Sequence, residues 1–283
     1  ELSFETIAKV KNLGLSMLMV AGGAHPTIDP QDVLNNTPID VCIIGEGEET
    51  THELLKKLQN KEELTDIIGT VNKKKDNGVR PLLTNIDFLP AWDIIDFENY
   101  DVAVSKKRRT AYLLPIRGCP NYCTYCSNPV WKLEKPWVRQ RSPKNIAEEV
   151  NYLYNKGIRE IYLRSDTFNV DIKWCLEVCD EILKLELKGM TFQCNLRADK
   201  VNNELAQRLK AINVWLVHIG LESANDRVLK GIGKNVTQED NLRTLKVLKE
   251  HGIKVYGFLM LYNAWETNGR LEYETPEEVN NTL

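Results

Sequence analysis

An alternation of short apolar strands and amphipathic helices limits the folds open to this 283-residue chain. The predicted strands cover residues 110–117, 158–164, 190–196, 214–221 and 254–261, and the predicted helices cover 143–156, 171–185, 203–211 and 237–252. Strands that alternate with helices of this length form right-handed βαβ units around a parallel sheet. The sequence therefore predicts an α/β fold with five such units and no sixth.

Local signals support the ends of these helices. Ser142 stands at the N-cap position of the first helix, and Gly157 follows its end. Thr237 and Asp240 form a capping box at the start of the last helix, which Gly252 closes.

Three cysteines follow the first predicted strand with the spacing C-x3-C-x2-C, namely Cys119, Cys123 and Cys126. A [4Fe-4S] cluster has four irons that each need one more ligand, so three thiolates leave one iron open to a non-protein ligand. A structural zinc site is the alternative, because His218 and Cys194 offer a distant fourth ligand, although such sites usually combine two separated ligand pairs.

The other four cysteines are interpreted as buried residues of a cytosolic protein. Seven cysteines without a paired framework argue against disulfides. Cys175 and Cys179 share an apolar helix face and are interpreted as core residues, as are Cys42 and Cys194. The alternative is a second cluster at Cys175 and Cys179. Their helical spacing argues against it, because cluster ligands usually lie on loops.

The cysteine motif, with Tyr125 before its last cysteine, resembles the signature of the radical S-adenosylmethionine (SAM) superfamily. In that family the open iron binds the amino and carboxylate groups of SAM. An electron from the cluster cleaves SAM into methionine and a 5′-deoxyadenosyl radical, which abstracts hydrogen from the substrate. The resemblance implies a partial (β/α)6 radical SAM barrel that contains a [4Fe-4S] cluster and SAM.

Polar side chains stand where the predicted strands end, which is where parallel barrels carry functional groups. They are Asp166, Asn195, Arg197 and Glu222. SAM carries cationic groups that need acceptors and a carboxylate that favours arginine. The resemblance implies that Asp166 contacts the SAM amino group, that the third- and fourth-strand residues contact its carboxylate, its ribose or the substrate, and that Tyr125 packs beside the adenine.

Each strand-end residue also has a purely structural interpretation. Asp166 could cap a following turn, and Arg197 could pair with Asp199 on the surface. Glu222 could cap the short helix near Asp226. Their shared position at the strand ends favours the functional interpretation.

Two strand and glycine-loop units precede the cysteine motif, with strands at residues 16–20 and 41–44 and a helix near 52–58. They resemble the C-terminal half of the Rossmann-like cobalamin-binding domain of B12-dependent radical SAM enzymes. The resemblance implies that five loop residues lie along the cobalamin tail. These are Gly22, Gly23, Gly45, Glu46 and Gly47. His25 is assigned to a turn and not to the cobalt.

The chain is thus predicted to contain a partial cobalamin-binding domain at 1–66, a linker at 67–107 and the barrel at 108–283. The linker includes a small hairpin at Asn77 and Gly78, and a basic run at 106–109 that is expected to be solvated. After the fifth strand, a long loop at 261–276 is expected to lie over the barrel mouth. The first strands of the cobalamin domain and the sixth barrel strand are expected to be missing.

The expected function is a cobalamin-dependent radical SAM enzyme, similar to the family of anaerobic porphyrin cyclases and carbon methyltransferases. It would act on a small molecule and take electrons from a protein such as flavodoxin or ferredoxin. One alternative is a methylthiotransferase-like radical SAM enzyme without cobalamin, although these usually carry a further upstream cysteine set that Cys42 alone cannot supply. The other is a non-enzymatic iron-sulfur or zinc binding module.

Composition agrees with these expectations. The chain is 42% apolar and has a net charge of −3, which gives no general case for nucleic-acid binding. It shows no signal peptide or long apolar span, so a cytoplasmic protein without a membrane segment is expected.

Overall fold

The structure, a computed structural model, describes residues 2–14, 17–97 and 109–283. They form two compact units, of which the first runs to Thr84 and includes Ser127–Trp137, and the second comprises Asn85–Cys126 and Val138–Leu283. Within the described ranges, no helix has the length and apolar character needed to cross a membrane. The predicted three-part division at residues 66 and 107 stays a prediction, and residues 106–108 of the basic run lie outside the described ranges.

The first unit contains a three-stranded sheet. Its elements are α1 (Leu2–Lys11), β1 (Val20–Ala21), α2 (Ala24–Ile28), α3 (Pro30–Asn36), β2 (Val41–Ile43), α4 (Glu48–Asn60) and β3 (Thr70–Asn72). The strand order is β1, β2, β3, with β1 parallel and β3 antiparallel to β2. The predicted helix at 52–58 is the longer α4. The predicted strand at 16–20 is regular only from Val20, and Ser16 lies outside the described residues.

The chain reverses direction earlier than the predicted hairpin at Asn77 and Gly78. The backbone N–H of Asn72 donates to the carbonyl of Lys75 at 2.9 Å, and Val71 bridges Asp76. The Asn72 side-chain oxygen accepts the N–H of Lys75 at 2.9 Å, as it does that of the preceding residue. Asparagine mimics a backbone turn in this way. The turn therefore lies at residues 73–75, and Asn77 and Gly78 belong to the returning arm.

The second unit is built on a parallel sheet. Its elements are β4 (Thr110–Leu113), β5 (Ile116–Arg117), β6 (Arg139–Gln140), α5 (Pro143–Asn155), β7 (Glu160–Leu163), α6 (Ile172–Leu183), β8 (Thr191–Leu196), α7 (Asn203–Ala211), β9 (Val214–Glu222), α8 (Asp226–Gly231), α9 (Gln238–Glu250), β10 (Lys254–Leu259), β11 (Ala264–Thr267), β12 (Arg270–Tyr273) and α10 (Pro276–Thr282). Five strands pair in the order β10, β9, β8, β7, β4, and all of these pairs are parallel. The predicted α/β fold with a parallel sheet is confirmed.

The two faces of this sheet have different neighbours because successive strand residues point to opposite sides. Leu163, Cys194 and Val217 are fully buried in the core that the sheet shares with its flanking helices. Tyr162 and His218 belong to the opposite face and stack on each other with ring centroids 4.7 Å apart.

The predicted helix ends are confirmed. The side chain of Ser142 accepts the N–H of Asn145 at the start of α5, and Gly157 follows that helix with φ +88°. Thr237 and Asp240 form the capping box of α9. A cap of this kind stabilises a helix by about 1 kcal/mol.

The predicted strand at 110–117 is wrong as a single element. Its first half, Thr110–Leu113, is β4 of the parallel sheet, whereas Ile116–Arg117 is β5, which pairs antiparallel with β6. Pro115 stands between the halves and has no N–H to donate to a strand ladder, so the chain changes sheets there.

The segment after β10 contains a hairpin where a long loop was predicted. β11 and β12 pair antiparallel, and the two residues between them, Asn268 and Gly269, have φ values of +52° and +76°. An Asn-Gly pair with positive φ at both positions is typical of a type I′ turn.

Candidate functional site

The cysteine loop begins at Gly118, directly after β5. Gly118 has φ +82°, a left-handed conformation that glycine adopts readily. The thiol of Cys119 lies 3.5 Å from the hydroxyl of Thr167 and accepts from the side-chain amide of Asn121 at 3.3 Å. The first cysteine therefore sits beside the end of β7.

The rest of the loop is tied to the turn after α8. Cys123 is buried and Cys126 is exposed, and the N–H of Cys126 donates to the carbonyl of Cys123 at 3.1 Å. The backbone N–H of Thr124 donates to the carbonyl of Ile232 at 3.0 Å. The loop is thus held at Cys119 by a contact with Thr167 and at Thr124 by a hydrogen bond to Ile232.

The three motif cysteines stay the predicted ligands of a cluster. Across the described residues, no three His, Cys, Asp or Glu side chains converge on one metal position. Each thiolate of a cubane binds a different iron, so the three sulfurs need not converge. Of the two residues named as a distant fourth zinc ligand, Cys194 pairs in register with Val217 and points to the helix side of the sheet, away from His218.

The remaining cysteines are core residues, as predicted. Cys175, Cys179 and Cys194 are fully buried in the main core. Burial raises the pKa of the Cys179 thiol to about 12 and that of Cys42 to about 11. Such thiols are protonated at neutral pH and are poor metal ligands.

Asp166 connects the end of β7 to the cysteine loop. Its Oδ2 accepts the backbone N–H of Gly118 at 3.1 Å. The predicted capping of a local turn is replaced by this contact with a segment 48 residues away. The predicted contact between Asp166 and the SAM amino group stays a prediction.

Glu222 lies at the end of β9 in a cluster with Tyr125 and Lys234. The Tyr125 hydroxyl donates to Glu222 Oε1 at 3.0 Å, and Nζ of Lys234 lies 3.1 Å from the same oxygen. Nζ also lies 3.2 Å from the Tyr125 hydroxyl. Burial, with the Glu222 carboxylate nearby, holds the pKa of Tyr125 above its ordinary range, so its phenol stays a donor. Glu222 does not cap α8, for which Asn225 is the N-cap residue.

The backbone of Glu222 is strained. Its φ of +60° is in the left-handed region, which costs a non-glycine residue about 1–3 kcal/mol. The strand register shifts at the same place, between Phe258 and Leu259 of the neighbouring β10. Strain of this kind is typical of functional sites, where the surrounding contacts maintain it.

Arg197 positions the backbone beside this cluster. Its Nη2 donates to the carbonyls of Lys234 and Asn235, at 2.8 and 3.3 Å. Its Nε lies 2.9 Å from Oδ1 of Asp199. The predicted pairing of Arg197 with Asp199 is confirmed. The predicted surface location is wrong, because the Arg197 side chain is buried.

Two buried acceptors at the strand ends have no partner within the described residues. They are the hydroxyl of Ser165, after β7, and Oδ1 of Asn195, in β8. Buried polar atoms in proteins are almost always hydrogen-bonded, so these orphans fit a polar ligand bound at this edge.

Lys234 was missed in the sequence. It follows the Gly-Ile-Gly segment after α8, in no recognisable motif, and lies 109 residues from Tyr125. Only the folded chain brings these side chains together.

In the first unit, the two glycine loops lie side by side. Gly23 and Gly45 have φ values of +104° and +74°. The Thr27 hydroxyl donates to the carbonyl of Gly23 at 2.7 Å and accepts the N–H of Gly45 at 3.1 Å. Glu46 accepts the N–H of Leu83 at 3.2 Å.

The two remaining glycines flank these positions. Gly22 precedes Gly23, and a Cβ added to Gly22 would meet Ile43 only at an ordinary 3.8 Å. Gly47 is the N-cap residue of α4. His25 lies in helix α2 and not in the predicted turn, and its Nε2 is 2.9 Å from Asp32.

These features define an α/β protein in which the cysteine loop meets the strand-end residues Asp166 and Glu222 at the carboxyl edge of a parallel sheet. Residues 113–266, just over half of the chain, match the radical SAM superfamily. The chain therefore belongs to the radical SAM superfamily. Enzymes of this superfamily use a [4Fe-4S] cluster and SAM.

Two relatives extend the similarity across most of the chain. An uncharacterized methyltransferase, PH0819 of Pyrococcus horikoshii, is 30% identical over 94% of this chain and 59% of its own length. The anaerobic magnesium-protoporphyrin IX monomethyl ester cyclase of Synechocystis is 25% identical over 84% of this chain and 48% of its own. The chain thus spans about half the length of these curated relatives.

Solved structures share the fold. The radical SAM methyltransferase TsrM from Kitasatospora setae, with tryptophan and a SAM analogue bound, superimposes with a TM-score of 0.74 at 20% identity, over 94% of this chain and 53% of its own. The cobalamin-dependent radical enzyme OxsB, with aqua-cobalamin and SAM bound, superimposes with a TM-score of 0.76 at 21% identity. The match covers 99% of this chain and 41% of OxsB.

Proposed function

We propose that the chain is a cobalamin-dependent radical SAM enzyme that transfers a methyl group to, or closes a ring at, an unactivated carbon of a small molecule. The cysteine loop carries the proposal, because it is tied to the end of β7 through Asp166 and to the end of β9 through Tyr125 and Glu222. Thiols and SAM-complementary charges therefore share one edge of the sheet.

In this proposal Cys119, Cys123 and Cys126 hold a [4Fe-4S] cluster. The cluster, when bound, supplies the electron that cleaves SAM and so starts hydrogen abstraction from the substrate. Asp166 accepts from the SAM amino group, which needs an anionic or neutral oxygen nearby. Asn195 offers its unpartnered Oδ1 to a donor such as a ribose hydroxyl.

The charge cluster has a separate role at the same edge. Glu222 holds the ribose or the amino group, and Lys234, the buried cation paired with it, is assigned to the SAM carboxylate. Arg197 is among the strand-end residues expected to contact the SAM carboxylate, the ribose or the substrate. Because its Nε and Nη2 donate to the protein, we assign it the positioning of Lys234.

We assign cobalamin to the first unit, the proposed partial cobalamin-binding domain. Gly22, Gly23, Gly45, Glu46 and Gly47 would lie along its tail. The proposal is supported by the adjacency of the two glycine loops through Thr27 and by the cobalamin bound in the similar structures of TsrM and OxsB. We further propose a cytoplasmic setting and a flavodoxin or ferredoxin as electron donor.

A methylthiotransferase-like enzyme is the second candidate. A putative methylthiotransferase of Methanocaldococcus jannaschii is 26% identical over 86% of this chain and 53% of its own length. The buried thiol of Cys42 does not support this candidate, because its raised pKa makes it unsuited to binding a further cluster.

Product analysis tests the reaction class. The anaerobically reconstituted chain is incubated with SAM and dithionite, and 5′-deoxyadenosine is measured by liquid chromatography. We expect 5′-deoxyadenosine from the wild type and none from Cys123→Ala. Its absence from the wild type would contradict the proposal.

Cobalamin binding is tested separately by titration with aquacobalamin. Gly22→Val is expected to weaken binding, because its Cβ meets the protein only at an ordinary 3.8 Å while its methyl groups fill space beside the loop. Ala8→Val, an addition of similar size on the exposed face of α1, is the matched control. Equal affinity of Gly22→Val and wild type would argue for an enzyme without cobalamin at this loop.

A further inference from the structure

A chain of buried hydrogen bonds crosses the second unit's sheet on the face opposite to the helices. Oε1 of Glu160 accepts the indole N–H of Trp215 at 2.8 Å and the side-chain amide of Gln193 at 2.7 Å. Oε1 of Gln193 lies 2.9 Å from Nε2 of His218. The chain therefore runs from β7 through β8 to β9.

This chain determines which ring nitrogen of His218 carries the hydrogen. An indole N–H only donates, so Glu160 acts as an acceptor here, and Gln193 must turn its NH2 group toward it. The carbonyl oxygen of Gln193 then faces Nε2 of His218, which must donate. The lone pair of the neutral imidazole is consequently on Nδ1.

Burial, with Arg164 nearby, lowers the pKa of His218 below its ordinary range. The ring is therefore neutral at pH 7, and Nδ1 is an acceptor. Nδ1 has no hydrogen-bond partner in the described parts of the chain, and it is not fully enclosed.

Aromatic rings surround this open acceptor. Tyr162 stacks on one side of His218, and the centroids of Tyr256 and Phe258 lie 5.4 and 6.2 Å away. Tyr256 and Phe258 are 46% and 45% exposed, so their rings offer an apolar surface beside the imidazole of His218. Asn195, with its own unpartnered oxygen, is the register neighbour of His218 on β8.

We propose that His218, Tyr256 and Phe258, the His218 patch, bind the flat apolar part of the substrate, with Nδ1 accepting a hydrogen bond from an O–H or N–H group on it. The inference deepens the proposed function, and it rests on that function in assigning this occupant the role of substrate. His218 is four residues before Glu222, about 13 Å along an extended strand, so the patch lies away from the groups assigned to the SAM methionyl part.

The first test reads the tautomer in the unmodified full chain. Two-bond ¹⁵N–¹H spectra of ¹⁵N-histidine-labelled protein, reconstituted with an oxidised cluster, are expected to show His218 protonated at Nε2 and unprotonated at Nδ1. Loss of the signal in His218→Phe assigns it among the four histidines. A ring protonated at Nδ1 would overturn the inference.

The second test uses indole as a flat N–H donor and 1-methylindole as its matched analogue without the donor. Indole is expected to shift the Nδ1 resonance and to bind about fivefold more tightly than 1-methylindole, the value of one neutral hydrogen bond. The ratio of the two affinities should fall to about one in His218→Phe and stay at about five in His251→Phe. Equal binding of the two probes by the wild type would contradict the proposal.

S-adenosylhomocysteine is the third probe. If it shifts the Nδ1 resonance of His218, the patch belongs to the adenosyl group and the substrate assignment is overturned. These readouts do not involve SAM cleavage, so failure of the His218 patch and failure of the radical SAM reaction are distinguishable.

Discussion

Nζ of Lys234 lies 3.1 Å from Oε1 of Glu222, and the two residues are only 9% and 4% exposed. The pair places two opposite charges at the end of β9, where the hydroxyl of Tyr125 from the cysteine loop also donates to Glu222. It is thus a direct link between the loop expected to carry the cluster and the strand ends expected to carry SAM.

Removing the cation of this pair should destabilise the protein. Lys234→Met leaves the Glu222 carboxylate buried without its cation, and breaking a buried pair from one side typically costs about 3–5 kcal/mol. Urea unfolding measures the loss, and Lys230→Met, at an exposed position four residues earlier, is the control. An unfolding curve of Lys234→Met that overlays the wild type would contradict the assigned pairing.

Asp166 should control the cysteine loop through one hydrogen bond. Asp166→Ala leaves the N–H of Gly118 without its charged acceptor and should therefore reduce the iron bound per chain after reconstitution. Asp166→Asn keeps an oxygen and should restore iron loading while still weakening SAM binding. Equal iron loading in the alanine variant would show that the contact does not support the loop.

Acid should release the C-terminal helix through Glu278. Hydrogen bonds from Arg227 and from the backbone of Thr275 lower the pKa of Glu278 from 4.5 to about 2. A depressed carboxyl pKa contributes stability that is complete above the unfolded value and is lost as pH falls through the folded one. The stability difference between wild type and Glu278→Gln should therefore be full near about pH 6 and shrink between about pH 4.5 and 2.

Thermal unfolding across this pH range measures that difference. Glu277→Gln, which changes an exposed neighbouring carboxylate, is the control. A difference that stays constant down to about pH 2 would contradict the role of Arg227.

The helices could be predicted closely because their end signals are local. Ser142 and Thr237 cap helices with bonds that reach only three residues ahead, so the pattern is visible in the sequence. Two local signals were nevertheless misjudged. Pro115 divides the first strand, and Asn268-Gly269 makes a tight hairpin turn in a segment that was predicted as a loop.

The site was predictable only in its strand-end residues and its cysteines. Topology brings every strand end to one edge, which is why Asp166 and Glu222 could be proposed together. Lys234 could not be foreseen, because its contacts depend on the packing of the turn after α8 against Tyr125. His218 was considered only as a remote zinc ligand, since the order Glu160, Gln193, His218 exists only across three paired strands.

The most direct test of the central claim is EPR spectroscopy of the anaerobically reconstituted, dithionite-reduced protein with and without SAM. The account predicts a [4Fe-4S] signal that changes when SAM is added, is lost in Cys123→Ala, and is retained in Cys179→Ala, whose thiol lies in the core. A cluster signal that is indifferent to SAM, or one that survives in Cys123→Ala, would contradict it.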